Sequence, residues 1–333
     1  KQLMIEKIVV EGGNLLGVVG ETGEFYESRA VVLATGVKHR MLGLEGENEL
    51  VGEGISFCAV CDGDFYTDQT VCVAGGGNSA LQEAILLSDK CRTVVMLQDL
   101  PFFTGEAKLQ EVLFARENVK AYSNVKINRL LTSDGTLRGV EIEDRADHKV
   151  TEVSCDGLFV AIGLIPENEL SFGAGIKIDR RTNGPFVDDR LETNIPGIYA
   201  CGNVLHVHDL VDFVSEEAAR AGRNAAQHIL KGASQLREKE MIEVRAGNGV
   251  RYTVPSTIDT ANVSEEIHLR FRVRNVYKGC GIEVVYKDRV LVSSKKRIMV
   301  PSEMVDVILK PELFDDIRPS EDGIEVKITG EGI

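Results

Sequence analysis

The sequence predicts an α/β fold followed by a smaller β-rich region, and three observations support this prediction. First, an apolar strand over 70–74 is followed by a Gly-rich turn, a segment with helical spacing and a second apolar strand over 93–97. Second, a long helix is predicted over 212–231. Third, residues 268–274 alternate between apolar and polar with period two, which is typical of half-buried strands.

The individual elements follow from the same patterns. Strands are predicted over 5–10, 15–19 and 24–33, the last of them ending at the Ala-Thr-Gly sequence of residues 34–36. Gly232 follows the long helix as a C-cap would. The other predicted elements are a helix over 108–118, a hairpin over 125–144 turning at 134–135, a strand over 157–162, a strand ending at Gly202, a linker over 235–240 and strands over 282–285 and 289–292.

Composition limits the class of protein. The chain has 333 residues, of which 43% are hydrophobic and 27% charged, and this is ordinary for a globular protein of two domains and a small third. Its net charge of -14 argues against nucleic acid or an anionic membrane as a partner, because both attract basic surfaces. No apolar run is long enough to cross a bilayer and the first residues lack a signal-peptide pattern, so we expect a cytoplasmic protein.

Seven cysteines are scattered along the chain, and one close pair stands out. A secreted disulfide scaffold would be shorter and richer in cysteine. Cys58 and Cys61 have the Cys-x-x-Cys spacing that lets two sulfurs join in a disulfide. Four further cysteines lie in apolar stretches and are expected to be buried, and a fifth is expected in a turn: Cys72, Cys91, Cys155 and Cys201, and Cys280.

Asp62 directly follows the cysteine pair. A carboxylate at this place can carry the proton that thiol–disulfide exchange requires. Half of a zinc site is the alternative, but zinc requires two further ligands, and only His39 lies nearby in the sequence. Redox chemistry is therefore favoured over zinc binding.

The turn over 75–80 has the pattern Gly-x-Gly-x-x-Ala and lies between a predicted strand and a predicted helix. The first glycine allows a tight turn, and the second lets the backbone approach a pyrophosphate at the helix N-terminus. This context predicts a dinucleotide-binding unit, and a glycine-rich turn without a ligand stays the alternative. The candidate cofactor-binding residues of the turn are Gly75, Gly77, Asn78, Ser79 and Ala80.

Several segments together resemble the thioredoxin reductase family in its low-molecular-weight form. In family order they are ATG at 34–36, CAVCDG at 58–63, GGGNSA at 75–80, AIG at 161–163 and GIYACGN at 197–203. The resemblance covers about residues 1–232. Each segment alone is weak, but the combination is specific.

The resemblance implies a site and a reaction. Cys61 would face the flavin, Cys58 would attack the substrate disulfide, and Asp62 would act as acid and base. Such enzymes work as homodimers that pass electrons from a nicotinamide through FAD to the cysteine pair and then to a thioredoxin-like protein. The further cofactor-binding residues are Gly163 for the nicotinamide nucleotide and Thr35, Gly36, Gly202, Asn203 and Val204 for FAD.

The sequence departs from the family pattern in three ways. No counterpart of the family's first Gly-rich turn, which holds the ADP part of FAD, precedes Ala34, so we expect FAD to bind weakly or to be lost. Asn203 stands where the family usually has Asp, and the connector over 205–212 is longer than usual. We therefore predict an NAD-binding Rossmann-like domain over 43–166 inserted into an incomplete FAD-binding Rossmann-like domain, 1–42 and 167–232, followed by a small β-rich domain of unknown role over 241–333.

The nicotinamide preference is predicted from the end of the second strand. Asp99 follows Gly77 by about 20 positions, the spacing expected for the carboxylate that binds a ribose 2′-hydroxyl. The thioredoxin reductase family places a His-Arg-Arg run here and another Arg later, whereas this chain has Gln98, Asp99 and Leu100, and then Thr104. Because a 2′-phosphate requires Arg or Lys, we predict a preference for NAD(H) over NADP(H).

Two other functions stay open, and a metal site is not predicted. Residues 164–170 and 214–217 also resemble NAD(P)/FAD-dependent oxidoreductases that accompany anaerobic glycerol-3-phosphate dehydrogenases, so an NADH-dependent electron-transfer subunit is one alternative. A flavin-free interaction module is the other. His206, His208 and Asp209 offer too few ligands for a metal.

Overall fold

The computed structural model describes residues 2–231, 239–319 and 322–330. The predicted C-cap at Gly232 and most of the predicted linker over 235–240 lie outside the described residues. Among the helices that are described, none has both the length and the apolar character needed to cross a membrane.

The chain forms two compact units. The first consists of residues 1–37 and 166–333, and the second consists of residues 38–165. The predicted β-rich domain over 241–333 falls within the first unit. Its independence as a domain, like the other predicted domain boundaries, stays a prediction.

The first unit begins with an antiparallel meander of three strands, followed by a strand of another sheet. These are β1 (Ile5–Glu11), β2 (Asn14–Gly20), β3 (Phe25–Glu27) and β4 (Val31–Leu33). The single strand predicted over 24–33 is therefore wrong. The Ser28 hydroxyl donates to Ala30 O over 2.7 Å and turns the chain between β3 and β4. β4 then pairs in parallel with a later strand of the same unit.

The second unit combines a parallel sheet with an antiparallel one. The chain enters it through β5 (Val37–His39), and the elements that follow are α1 (Glu47–Leu50), β6 (Ile55–Ser56), α2 (Ala59–Asp62), β7 (Thr70–Ala74), α3 (Asn78–Ser88), β8 (Thr93–Leu97), α4 (Ala107–Phe114), β9 (Val119–Tyr122), β10 (Val125–Ser133), β11 (Thr136–Asp144), β12 (Val150–Ser154), β13 (Gly157–Val160) and β14 (Leu164–Pro166). The parallel sheet has the order β6-β13-β7-β8-β9, and the antiparallel sheet has the order β10-β11-β12.

The predicted strand–turn–helix–strand unit is formed by β7, α3 and β8. β7 is apolar because both of its faces are covered. Val71 and Val73 belong to the core beneath α3, whereas Cys72 and Ala74 belong to the core shared with the antiparallel sheet. Parallel strands align their carboxyl ends, so the turn after β7 and the loop after β8 open at the same edge of the sheet.

Two local features of this unit differ from the predictions: the end of one helix and the presence of one strand. The helix predicted over 108–118 is α4, which ends at Phe114. The side-chain amide of Asn118 donates to Ser88 O and Cys91 O over 2.9 and 3.1 Å, and this ties the chain back before β9 begins. β12 was not predicted, because its mostly exposed residues become a strand through pairing with β11 rather than through an apolar pattern.

The first unit resumes with α5 (Glu169–Gly173), β15 (Ile198–Ala200) and α6 (Val211–Lys231). β15 is the strand that pairs in parallel with β4. The long helix predicted over 212–231 is therefore present as α6, with its start one residue earlier.

The rest of the first unit is β-rich. Its strands are β16 (Met241–Ala246), β17 (Val250–Val254), β18 (Thr257–Asp259), β19 (Ile267–Val273), β20 (Tyr277–Tyr286), β21 (Arg289–Met299), β22 (Val305–Leu309) and β23 (Ile324–Thr329). They form a sheet of order β18-β16-β23-β20-β21 and a sheet of order β17-β19-β22, and Phe271 of the second shares a core with Ile282 of the first. Cys280 lies buried within β20 and not in a turn, whereas the other four free cysteines are buried as predicted.

Candidate active site and nucleotide-binding cavity

The disulfide lies at the start of α2 in the second unit. Cys58 precedes the helix and Cys61 lies within it, and their sulfurs are bonded with a Cα–Cα distance of 5.3 Å. One helical turn brings residues three positions apart onto the same side, and this is why the spacing permits the bond. Cys61 is the more exposed of the two and Cys58 is half-buried. The assignment of Cys58 as the attacking thiol, which the resemblance implies, stays a prediction.

Ser56 connects Asp62 to the cysteine segment. Its hydroxyl donates to the Asp62 carboxylate over 2.7 Å and accepts from the Cys58 backbone N–H over 3.1 Å. The half-buried carboxylate is therefore held beside the disulfide, where a proton carrier for thiol exchange is needed. Ser56 was missed in the sequence, where its place two residues before the first cysteine is the one signal for it.

Asp62→Asn is expected to slow disulfide exchange by about 100-fold, because the amide keeps the size of the side chain but cannot carry a proton. The measurement is steady-state reduction of a small aromatic disulfide by the protein. Asp64→Asn is the matched control, since Asp64 is an exposed carboxylate two residues away that pairs with Lys90. An Asp62→Asn variant as fast as this control would rule out proton transfer by Asp62.

Three glycines shape the turn between β7 and α3. Gly75 has a φ of 129°, and a side chain there would meet a backbone carbonyl at 2.4 Å. A Cβ at Gly76 would meet the Gln98 side chain at 2.5 Å. Gly77 is the N-cap of α3, where a Cβ would meet only Thr104 at 3.8 Å and no side chain caps the helix. The N–H groups of the first helical turn therefore open onto free space, an arrangement that binds phosphate.

The turn opens into a cavity of about 750 Å³ that lies wholly within the second unit. This volume is in the range of cofactor sites. Gly163, with a φ of 109°, has open space where a Cβ would lie. The cavity brings together six residues that were predicted to bind the nucleotide: Gly75, Gly77, Asn78, Ser79, Asp99 and Gly163. The residues present therefore fit a nicotinamide dinucleotide.

Asn78 and Ala80 have contacts within the protein as well. The Asn78 amide donates to the Glu106 carboxylate over 2.7 Å, and its oxygen accepts from the Glu106 N–H over 2.8 Å, which fixes the loop before α4. Ala80 is fully buried and lies behind Gly75, so its small size sets how closely α3 approaches β7. Ser79 is exposed at the start of α3 and lines the cavity. Which of the three contacts a nucleotide stays a prediction.

Asp99 follows β8 and is exposed along the cavity wall. The buried Gln98 fixes the loop on which it lies. The side-chain amide of Gln98 donates to Phe102 O over 3.1 Å, and its oxygen accepts from the Asp99 N–H over 3.2 Å. Because Gln98 also packs on Gly76, the Asp99 carboxylate is presented close to the glycine turn, as expected of a residue that meets the adenosine ribose.

Three basic side chains line the same cavity and were missed in the sequence: Arg40, Lys126 and Arg145. They follow β5, lie in β10 and follow β11, so no local motif connects them. Their charges attract phosphate groups, which adds to the phosphate site at the start of α3.

Glu83 is a further cavity residue that the sequence patterns did not identify. It lies one helical turn after Ser79 on α3, and this spacing is the signal that places both on the cavity face. Burial raises the pKa of its carboxyl to about 7, and its Oε2 has no hydrogen bond within the described residues. The cavity therefore contains a carboxyl that changes protonation near neutral pH.

Glu83→Gln is expected to stabilise the protein at pH 8 by about 1–2 kcal/mol, after discounting for solvent screening. A raised carboxyl pKa favours the protonated form in the folded state, so stability falls as the pH rises from about 4.5 towards 7, and the neutral amide removes that loss. Urea unfolding at pH 8 and pH 5 measures the effect, which should shrink at pH 5. Glu111→Gln, at an exposed position of α4, is the control. A variant that is less stable than the parent at pH 8 would contradict the argument.

The disulfide segment borders the cavity. Phe57, the residue before Cys58, lines the cavity wall and stacks on His39 with ring centroids 4.5 Å apart. The backbone that carries the first cysteine is therefore continuous with the wall of the nucleotide cavity.

The residues predicted to line FAD lie together in the first unit. β4 and β15 pair in parallel with Leu33 opposite Ala200, so residues 35–36 and 202–204 follow neighbouring strand ends. The carboxyl ends of parallel strands are the usual place for a ligand in an open α/β sheet.

These residues fit a flavin in part. Gly36, with a φ of 73°, has open space around it, and Asn203 keeps its amide NH₂ as a donor while its oxygen accepts a backbone N–H over 3.1 Å. The Thr35 hydroxyl already donates to a backbone carbonyl over 2.7 Å, and the Gly202 N–H already donates to a buried carboxylate over 2.6 Å. Val204 is fully buried. Few donors therefore remain for the cofactor among these residues.

Comparison with known proteins identifies the family. Residues 4–227 match the model of the pyridine nucleotide-disulphide oxidoreductases. The thioredoxin reductase of Listeria monocytogenes serovar 1/2a is 32% identical over 226 residues, which are 67% of this chain and 69% of that protein. The solved thioredoxin reductase of Lactococcus lactis is 27% identical, with a TM-score of 0.61 over 69% of this chain and 75% of that one. That of T. acidophilum is 26% identical, with a TM-score of 0.59 over 68% and 74%.

The chain therefore belongs to the pyridine nucleotide-disulphide oxidoreductase family, and the resemblance to thioredoxin reductases is confirmed. The predicted α/β class with Rossmann-like domains is confirmed as well. The family implies FAD and a nicotinamide cofactor and a disulfide as substrate, which agrees with the Cys58–Cys61 bond.

Proposed function

We propose that this protein takes electrons from NADH and passes them through FAD to the Cys58–Cys61 disulfide and on to the disulfide of a thioredoxin-like protein. One observation carries the proposal: an accessible disulfide, with a carboxylate held beside it, borders a dinucleotide cavity of the same compact unit. FAD, when bound, supplies the two-electron transfer between a nicotinamide and a disulfide.

The cysteine pair then acts as a dithiol. One thiolate attacks the partner's disulfide and forms a mixed disulfide, and the second thiolate attacks that bond and releases the partner. Two electrons and two protons leave with the partner's two thiols, and Cys58 and Cys61 return to the disulfide. Asp62 supplies and accepts the proton at this site, held in place by Ser56.

The surface beside the disulfide supports a protein partner. Val60 lies between the two cysteines and is 78% exposed, and Phe65 shortly after them is 76% exposed. Exposed apolar side chains next to a reactive group are typical of a docking surface. We expect the protein to act as a homodimer, as the family resemblance implies, and to act in the cytoplasm.

The FAD contacts would come from residues of the first unit that follow neighbouring strand ends: Thr35, Gly36, Gly202, Asn203 and Val204. Because the donors of Thr35 and Gly202 are already paired within the protein, we expect weak FAD binding that depends on added cofactor. Quenching of FAD fluorescence by the protein measures this affinity.

The experiment that tests the proposed function follows NADH absorbance with the protein, excess FAD and an oxidised thioredoxin. NADH consumption should require all three and should yield two thiols on the thioredoxin for each NADH. If FAD binds and NADH is consumed only with a dye as acceptor, the electron-transfer subunit becomes the better hypothesis. If no flavin binds at any concentration, the flavin-free interaction module becomes the better hypothesis.

A further inference from the structure

A cluster of two histidines and a glutamate lies in the first unit, directly after the residues predicted to line FAD, and Glu217 is the buried carboxylate that accepts from the Gly202 N–H. His206 and His208 belong to the connector between β15 and α6, and Glu217 lies on α6. His206 is 1% exposed, Glu217 is 4% exposed, and the His208 side chain is fully enclosed. Buried imidazoles and a buried carboxylate in one place are the donor types that bind transition metals.

The distances within the cluster match a coordination sphere. His206 Nε2 lies 3.1 Å from one Glu217 oxygen, and His208 Nε2 lies 3.2 Å from the other. One ligand atom from each of the three residues falls within 4.8 Å of the others. Ligands about 2.0–2.1 Å from a tetrahedral zinc ion lie roughly 3.3 Å from one another, so the ligand atoms would have to approach one another by no more than roughly 1.5 Å.

Hydrogen bonding within the protein does not account for the cluster. The contact between His206 Nε2 and Glu217 satisfies one ring nitrogen, but His206 Nδ1 and both nitrogens of His208 have no hydrogen bond among the described residues. Buried polar atoms are normally satisfied, so an enclosed imidazole with no hydrogen bond at either nitrogen, and only a charge contact to Glu217, indicates a missing ligand. A metal ion between the rings and the carboxylate would supply it.

The Gly202 N–H donates to Glu217 Oε1 over 2.6 Å and orients the carboxylate, as is usual for carboxylates that bind metals. Arg270 lies 3.4 Å from Glu217, but its closer ion pair is with Glu216. Asp209, which the sequence offered as a third ligand, is engaged elsewhere, because its carboxylate accepts from the Met304 N–H and pairs with Arg272. The third ligand is therefore Glu217, which the sequence did not reveal because it lies two helical turns into α6.

We propose that His206, His208 and Glu217 bind one divalent first-row transition-metal ion, either zinc or ferrous iron. Two imidazoles and one carboxylate leave a coordination position open to water, and this donor set suits both metals. The site lies within one unit and involves neither the disulfide nor the nucleotide cavity. Its presence is independent of the proposed function.

The test measures metal binding in protein that lacks Cys58 and Cys61, since reduced thiols would themselves bind zinc. The Cys58→Ser/Cys61→Ser protein is stripped with a chelator and dialysed against Zn²⁺, against Fe²⁺ without oxygen, or against Mg²⁺. Elemental analysis should give one equivalent of Zn²⁺ or Fe²⁺ per chain and none of Mg²⁺. Of Zn²⁺ and Fe²⁺, the ion that is retained at the lower free concentration is the metal of the site. Absence of both ions at micromolar concentration would overturn the proposal.

Variants locate the metal within the chain. His208→Asn and Glu217→Gln, each made in the protein that lacks Cys58 and Cys61, should bind the metal ion at least about 100-fold more weakly. His148→Asn, which removes an exposed imidazole paired with Glu143, should bind as the parent does. If either site variant fails to fold, anomalous diffraction from crystals of the metal-loaded parent decides the matter. A metal peak away from these three residues, or unchanged binding by a folded site variant, would overturn the proposal.

Discussion

Replacing either Cys58 or Cys61 by serine should lower NADH-dependent disulfide reduction on the order of a thousandfold or more. A single remaining thiol can form a mixed disulfide with the partner but cannot resolve it, so each protein molecule stops after one attack. Steady-state turnover with a thioredoxin-like substrate measures the loss. A trapped mixed disulfide, seen by mass spectrometry in one of the two variants, would identify the attacking cysteine.

Thiol counting supplies the control for this prediction. Five of the seven cysteines are free and buried in the structure, so mild reduction of the parent should add two titratable thiols in denaturant. Cys91→Ala removes a buried thiol outside the disulfide and should leave turnover within a few-fold of the parent, provided its folding is unchanged. If either serine variant keeps parental turnover, the Cys58–Cys61 pair is not the redox centre.

Local patterns were sufficient to predict the elements that are decided locally. The turn at 75–80 lies between β7 and α3 as predicted, because glycines and apolar spacing specify it within a short stretch. Elements decided by distant partners were missed or misplaced. β12 forms through its pairing with β11. The single strand expected over 24–33 is two strands, because β4 pairs with β15 in another sheet. Cys280 lies in β20, which pairs with β23 far along the chain.

The residues of the candidate site likewise fall into those that a local motif reveals and those that only the folded structure reveals. Cys58, Cys61 and Asp62 are adjacent in sequence, so their motif was visible. Ser56 and Glu83 act through hydrogen-bond geometry and burial, which the chain order does not contain. The cavity's basic side chains come from separate elements that meet only when the two sheets of the second unit pack. Their presence bears directly on the choice of nicotinamide.

NADH should bind more tightly than NADPH, by on the order of a hundredfold. The Asp99 carboxylate, on the loop fixed by Gln98, would accept from a ribose 2′-hydroxyl and repel a 2′-phosphate. Arg145 and Lys126 line the same cavity, and their positive charges would attract the 2′-phosphate of NADPH if they reach it, which opposes the repulsion by Asp99. Fluorescence titration of both nucleotides, at fixed ionic strength because screening alters the repulsion, measures the preference.

Variants separate the two contributions. Asp99→Asn should reduce the preference for NADH over NADPH to roughly tenfold or less. The amide no longer repels the 2′-phosphate of NADPH, and it contacts the 2′-hydroxyl of NADH more weakly. Arg145→Ala should weaken both nucleotides about equally if the guanidinium contacts the shared pyrophosphate. Asp89→Asn, at an exposed carboxylate where α3 ends, should change neither affinity. If the parent binds NADPH more tightly, and Arg145→Ala abolishes that advantage, the basic wall of the cavity rather than Asp99 determines the choice.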